Sequence, residues 1–141
     1  MASILELQEI SDKKLEEMLE NNREEMFNLR FQKAATRLKD VARLRQVRRE
    51  IAQLETVLHQ RWLAAQAAAE EPEIAQALGD KEWKANARFS YEESAWLVDF
   101  VDDNDRQLAT ATVNLNQKRP KGRQERQQKE QPRLVSNYKV Y

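Results

Sequence analysis

Ala42-Arg43-Leu44-Arg45-Gln46-Val47-Arg48-Arg49-Glu50-Ile51-Ala52-Gln53-Leu54 is the stretch on which the fold turns. Leu44, Val47, Ile51, Leu54, Leu58 and Trp62 follow one another at steps of three or four residues, which places an apolar stripe along one side of a helix. Asp40 stands just before it as a natural N-cap. Downstream, Ala64-Ala65-Gln66-Ala67-Ala68-Ala69 favours continued helix, and Pro72 ends it. Upstream, residues 11–38 contain neither proline nor glycine. There Leu15, Met18, Leu19, Met26 and Leu29 recur at helical spacing, Phe27 and Phe31 widen the stripe, and Asn21-Asn22 interrupt it. Ser11-Asp12 supplies a start, with Ser11 able to cap a backbone N–H and Asp12 near the positive end of the helix dipole. The link around Arg37-Leu38-Lys39 is short, so the two helices are predicted to pair as an antiparallel hairpin over residues 11 to about 62. Its core is thin, and a partner would stabilise it.

The same stretch carries the strongest chemical signal. Arg45 lies three residues from Arg48 and four from Arg49, so these three share a helix face, with Arg43 nearby. Arg30, Lys33 and Arg37 add charge near the end of the first helix. Guanidinium groups stay charged and bind phosphate oxygens bidentately, so an RNA backbone suits this surface. The pattern equally fits a solvated face whose arginines pair with Glu50, Glu55 and the acids of the first helix.

The chain is electrically neutral as a whole, but the charge is segregated. Residues 1–29 carry 3 basic and 8 acidic side chains, and residues 30–66 carry 9 basic and 3 acidic. Residues 67–105 reverse this with 3 basic and 11 acidic, and residues 106–141 carry 9 basic and 2 acidic. The last segment includes Lys118, Arg119, Lys121, Arg123 and Arg126, a basic run of the kind that folds onto nucleic acid or serves as a solubilising or targeting tail. The acidic middle is a poor RNA surface and suits a basic protein or the tail itself.

Beyond the helices the periodicity changes. Glu73–Leu78 reads as a further helical turn or two stopped by Gly79. Residues 95–101 and 108–115 read as strands around the turn Asp102-Asp103-Asn104-Asp105, with Phe89 and Tyr91 belonging to a third strand. The expected fold class is mostly α: an antiparallel two-helix hairpin domain at 1–69, an acidic extension with a small β-hairpin at 70–116, and a basic, largely irregular tail at 117–141. Leu134, Val135, Tyr138, Val140 and Tyr141 give that tail an apolar ending able to dock. Trp62, Trp83 and Trp96 are expected in cores.

Several classes are disfavoured. There is no cysteine, His59 is the only histidine, and Gly79 and Gly122 are the only glycines. Disulfides, thiolate catalysis, a histidine metal cluster and a glycine-rich phosphate loop therefore fall away, and neither an enzyme nor a cofactor is expected. Met1–Glu6 lacks the basic region and apolar run of a secretory signal, and no stretch approaches the length of a membrane span. A soluble, intracellular protein is expected.

Phe27-Asn28-Leu29-Arg30-Phe31-Gln32, then Ala42 to Ala52 and Thr56, resembles the universal large-subunit ribosomal protein twenty-nine family, as does Ser11-Asp12 before a Leu-Glu-Glu run. The resemblance covers about residues 4–62. It implies a helical hairpin bound to large-subunit rRNA near the nascent-peptide tunnel exit, beside ribosomal protein twenty-three, on a bacterial-type ribosome that is either cytoplasmic or organellar. By position it implies that Arg30, Gln32, Arg43, Arg45, Arg48 and Arg49 touch rRNA. The chain departs from the family at Thr36, where members commonly have glycine, and at Lys33, where an apolar residue is common. The extension lies outside the resemblance; its basic tail is expected to reach rRNA and its acidic part to face proteins or solvent, including nascent-chain or targeting factors. The alternative is a non-ribosomal, coiled-coil-like protein-interaction adaptor whose arginines meet acidic partners.

Overall fold

The structure, a computed structural model, describes residues 2–116 and 134–141. It forms two compact units, Met1–Gln60 and Arg61–Tyr141. In chain order the helices are α1 (Ile4–Glu9), α2 (Asp12–Ala34), α3 (Val41–Ala69) and α4 (Pro72–Leu78), followed by strands β1 (Trp83–Ser90), β2 (Ala95–Asp102), β3 (Gln107–Val113) and β4 (Val135–Val140).

The first unit is the expected hairpin with one addition. Met26, Leu29, Leu44 and Val47 form a buried cluster at the turn end. Leu7, Leu15, Leu19, Leu54 and Val57 form another further along. Met26 with Val47, and Leu19 with Leu54, are each equidistant from the turn at Thr36-Arg37, which fixes α2 and α3 as antiparallel. The addition is α1, started by a capping box in which the Glu6 N–H donates to Ser3 Oγ (3.3 Å) and the Ser3 N–H to Glu6 Oε2 (2.8 Å). Its Leu7 joins the second cluster, and Val57, absent from the simple stripe, is wholly buried in that company. Phe27 and Phe31 do not widen the seam as expected: each is 69% exposed. They lie about 100° or more around α2 from Met26 and Leu29, because adjacent residues on a helix are a quarter-turn apart. Ser11 occupies the N-cap position of α2 with an extended backbone, but its side chain makes no capping bond. Asp40 does cap α3: its carboxylate accepts from the Ala42 N–H (3.0 Å) and the Arg43 N–H (3.4 Å).

The turn holds a threonine in a left-handed conformation. The Arg37 N–H donates to the Gln32 carbonyl (2.8 Å) and the Thr36 N–H to the Lys33 carbonyl (3.1 Å). This pair of bonds closes a helix in the Schellman manner and requires a left-handed residue at Thr36. Thr36 has φ of 57°, an unfavourable conformation for a β-branched side chain.

The second unit is a four-stranded antiparallel sheet in the order β1-β2-β3-β4. The expected small hairpin is thus half of the sheet. Phe89 lies in β1, but Tyr91 lies in the turn that follows it, and Val135–Val140, read as part of an irregular tail, is a paired strand. Strand β4 was hidden because its pattern is short and Lys- and Asn-bearing, and because its partner lies more than twenty residues back: Val113 pairs with Val135 and Thr110 with Lys139. Alternate residues of the strands point inward. Trp96, Val98, Phe100, Ala109, Ala111, Val113 and Val135 bury one sheet face together with Ala64, Ala68, Ile74 and Leu78. Ala64 and Ala68, one helical turn apart, let the end of α3 approach closely. Cross-strand partners Phe89 and Trp96 meet edge-on at 5.3 Å between ring centres. Of the three tryptophans only Trp96 is a core residue; Trp62 is 56% and Trp83 39% exposed.

Pro72 opens α4 at its first turn, and Gly79 with φ of 47° ends it. Residues 117–133 lie outside the description.

Replacing Thr36 by Gly is expected to stabilise the helical unit by about 0.5–1 kcal/mol, the left-handed penalty relieved less the extra freedom of glycine in the unfolded chain. Chemical denaturation of the full chain, followed by helix content, measures it.

Candidate nucleic-acid interface

Burial of Leu44 and Val47 in the seam turns the residues between and beside them outward. Arg45, Arg48 and Arg49 are all exposed on α3. Ala42, Arg45, Gln46 and Arg49 border a shallow groove along this face. Arg30, Gln32 and Lys33 are exposed on the last turns of α2, and Arg37 is exposed in the turn. The expected residues Lys118, Arg119, Lys121, Arg123 and Arg126 lie outside the described residues.

Arg43 behaves differently. Its Nε donates to Glu25 Oε1 (2.6 Å) and its Nη2 to Glu25 Oε2 (2.8 Å), a bidentate pair bridging α3 and α2. Glu50 Oε1 lies 3.8 Å from Arg43 Nη1 and also accepts from Gln46 Nε2 at 3.3 Å. A second cross-helix tie joins Arg23 to Glu55 (3.0 Å), with Glu20 on the same guanidinium at 2.9 Å. These ties divide the arginines into two groups. Glu25, Glu50 and Glu55 are engaged by Arg43 and Arg23, while Arg45, Arg48 and Arg49 form no ion pair among the described residues. No sequence spacing marks Glu25 as Arg43's partner, since the two are 18 residues apart. Folding the hairpin about Thr36 brings them within reach of one another.

The ties perturb ionisation as expected. Accepting hydrogen bonds from Arg43 holds the Glu25 carboxyl below its ordinary value, against an opposing push from partial burial. The Arg43 and Arg23 guanidinium groups are raised by their bonds to Glu25 and to Glu55 respectively. Both side chains of the Arg43–Glu25 pair remain about one-third exposed, 35% and 36%, so water screens much of the attraction. Among the described residues no group of His, Asp and Glu side chains is arranged to hold a metal ion. No helix there is long and apolar enough to cross a membrane.

The model of the family described as "Ribosomal L29 protein" matches residues 5–61. The large ribosomal subunit protein uL29 of Geobacillus stearothermophilus is 43% identical over 60 residues, covering 43% of this chain and 91% of that protein. Its counterpart in Mycobacterium ulcerans is 47% identical over 68 residues, 48% of this chain and 85% of that protein. The Mycobacterium tuberculosis protein is 52% identical over 58 residues, 41% of this chain and 75% of its own length. No solved structure matches.

Because the folded-state pKa of Glu25 is depressed, the pair's contribution is present above the ordinary glutamate range and is lost as pH falls through the depressed value. In Arg43→Gln the Glu25 titration, followed by carboxyl NMR, is expected to move up toward its ordinary position. Stability measured against pH should then lose part of its acid-side slope. A Glu25 titration that stayed where it was would show that Arg43 does not hold it.

Proposed function

The chain belongs to the ribosomal L29 protein family, and from that premise we propose that its helical unit binds large-subunit rRNA through the exposed arginines of α3. Membership gives a structural role in the large ribosomal subunit, and ribosomal proteins are not a class of enzymes. The observation that supports rRNA binding is the division of labour among the arginines. Arg43 and Arg23 tie the hairpin together, and Arg45, Arg48 and Arg49 face outward with no acidic side chain paired to them among the described residues.

Mechanistically such a surface works by charge and position. Each guanidinium presents a planar fork of donors to phosphate oxygens, and its charge offsets the repulsion between packed RNA segments. A rigid helix fixes the spacing of the forks, so the protein sets RNA geometry without reading bases. Arg30, Gln32, Lys33 and Arg37 extend the surface toward the turn. Arg43 contributes chiefly by holding α3 against α2. Phe27 and Phe31 give α2 an exposed apolar pair of the kind a neighbouring protein covers.

In the fuller reading, the chain sits on a cytoplasmic, bacterial-type ribosome near the tunnel exit beside ribosomal protein twenty-three, as the family resemblance implies. Its extension would then meet rRNA, neighbouring proteins or factors that act on the nascent chain.

The test is charge reversal in the full chain, Arg45→Glu with Arg48→Glu and Arg49→Glu, assayed by sedimentation with large subunits over a salt series. Three lost phosphate contacts should lower the log–log salt slope by about 2–3. Binding that survives unchanged, or association with a protein alone after RNase treatment, would favour the adaptor reading instead.

A further inference from the structure

The sheet has a second face. Opposite the buried side, β1 turns out Lys84, Asn86 and Arg88, β2 turns out Leu97, Asp99 and Val101, and β3 turns out Thr110 and Thr112. Strand β4 adds Asn137 and Lys139, paired with Thr112 and Thr110. Tyr141 follows at the edge, 60% exposed, with Lys139 Nζ 4.9 Å from its ring centre.

The charge on this face is the reverse of its segment's average. Residues 67–105 carry 11 acidic side chains against 3 basic. Of those acids only Asp99, which is half-buried, points out of this face; the others sit on the helical segments, in the turns or at the end of β2. Against it stand Lys84, Arg88 and Lys139, all exposed and without ion pairs among the described residues. Folding thus leaves one carboxylate, Asp99, against three cations on this face, with the other acids on the helical segments, in the turns or at the end of β2.

The spacing speaks for a polymer rather than a single anion. Lys84 and Arg88 are four residues apart on one strand, about 13 Å, and Lys139 lies three strands across, roughly 15 Å away. No two of them converge on one point. Arg88, Asp99, Thr110, Thr112, Asn137 and Lys139 border a shallow, open depression on this face, so one carboxylate lies among its polar groups. Threonine hydroxyls and an asparagine amide lie between the cations, and an aromatic ring stands at the rim.

We propose that this outer sheet face is a second RNA-binding surface, taking a single-stranded phosphate backbone across Lys84, Arg88 and Lys139 with a base stacked on Tyr141. Charge complementarity carries the choice of occupant, and the rim aromatic carries the choice of single-stranded over duplex RNA. Its residues are other than those of the arginine face of α3, and it does not depend on them.

The experiment uses the full chain already carrying Arg45→Glu, Arg48→Glu and Arg49→Glu, so that the α3 face is silenced. Binding of a mixed-sequence single-stranded RNA oligonucleotide is followed by fluorescence anisotropy over a salt series, before and after adding Lys84→Gln, Arg88→Gln and Lys139→Gln. Removing three contacts to a single strand should reduce the log–log salt slope by about 2 and weaken binding about ten-fold or more at low salt. Lys81→Gln, exposed but off this face, should leave the slope unchanged. If the triple substitution disturbs the near-ultraviolet signal of Trp96, the three single substitutions carry the same readout, each lowering the slope by about 0.7. An unchanged slope, or an equal loss from Lys81→Gln, overturns the proposal while leaving the α3 reading untouched.

Discussion

The seam formed by Met26, Leu29, Leu44 and Val47 governs where everything else in the helical unit can go. A helix that buries Leu44 and Val47 turns Arg45 and Arg49 away from its partner and leaves Arg48 on the flank of the stripe, about 40° from Leu44, where it is exposed. Burying these apolar side chains contributes about 1.5–3 kcal/mol each, far more than an exposed ion pair. The arginines are therefore placed by leucine and valine, not by the charges around them. The Arg43–Glu25 and Arg23–Glu55 ties then trim register and engage acids that would otherwise compete for the exposed cations.

Much of this was legible in the residues. The steps from Leu44 to Leu58 are helical, Asp40 marks the start of α3, and Pro72 and Gly79 mark breaks where the structure has them. What was not legible shares one cause: it depends on a neighbour that spacing does not reveal. Val57 is buried in a cluster that Leu7 of α1 joins. Phe27 and Phe31 are apolar and four apart, so they read as seam, yet they lie around the helix from Met26 and Leu29. Arg43 flanks the stripe four residues before Val47, and its partner Glu25 lies 18 residues away across the turn. Ser11 has the identity and backbone of a cap without its hydrogen bond.

The extension gives a stronger case of the same effect. Counted along the chain, residues 67–105 are an acidic block; folded, they present a sheet face on which cations outnumber carboxylates. Strand alternation achieves this, since residues two apart share a face while neighbours do not. The four-stranded sheet also explains why β4 matters. Without Val135 beside Val113, β3 would become an edge strand with unpaired backbone groups, and Val113 would lose part of its cover. The segment named for its basic residues is thus bracketed by two strands of one sheet.

The central claim is that the outward arginines of α3 lie on RNA. Ultraviolet crosslinking of assembled large subunits, with the crosslinked peptides of this chain identified by mass spectrometry, tests it most directly. The account expects nucleotide adducts on peptides spanning residues 44–53 and none on the buried seam residues. Subunits that retain the protein, but whose α3 peptides carry only protein crosslinks, would contradict it.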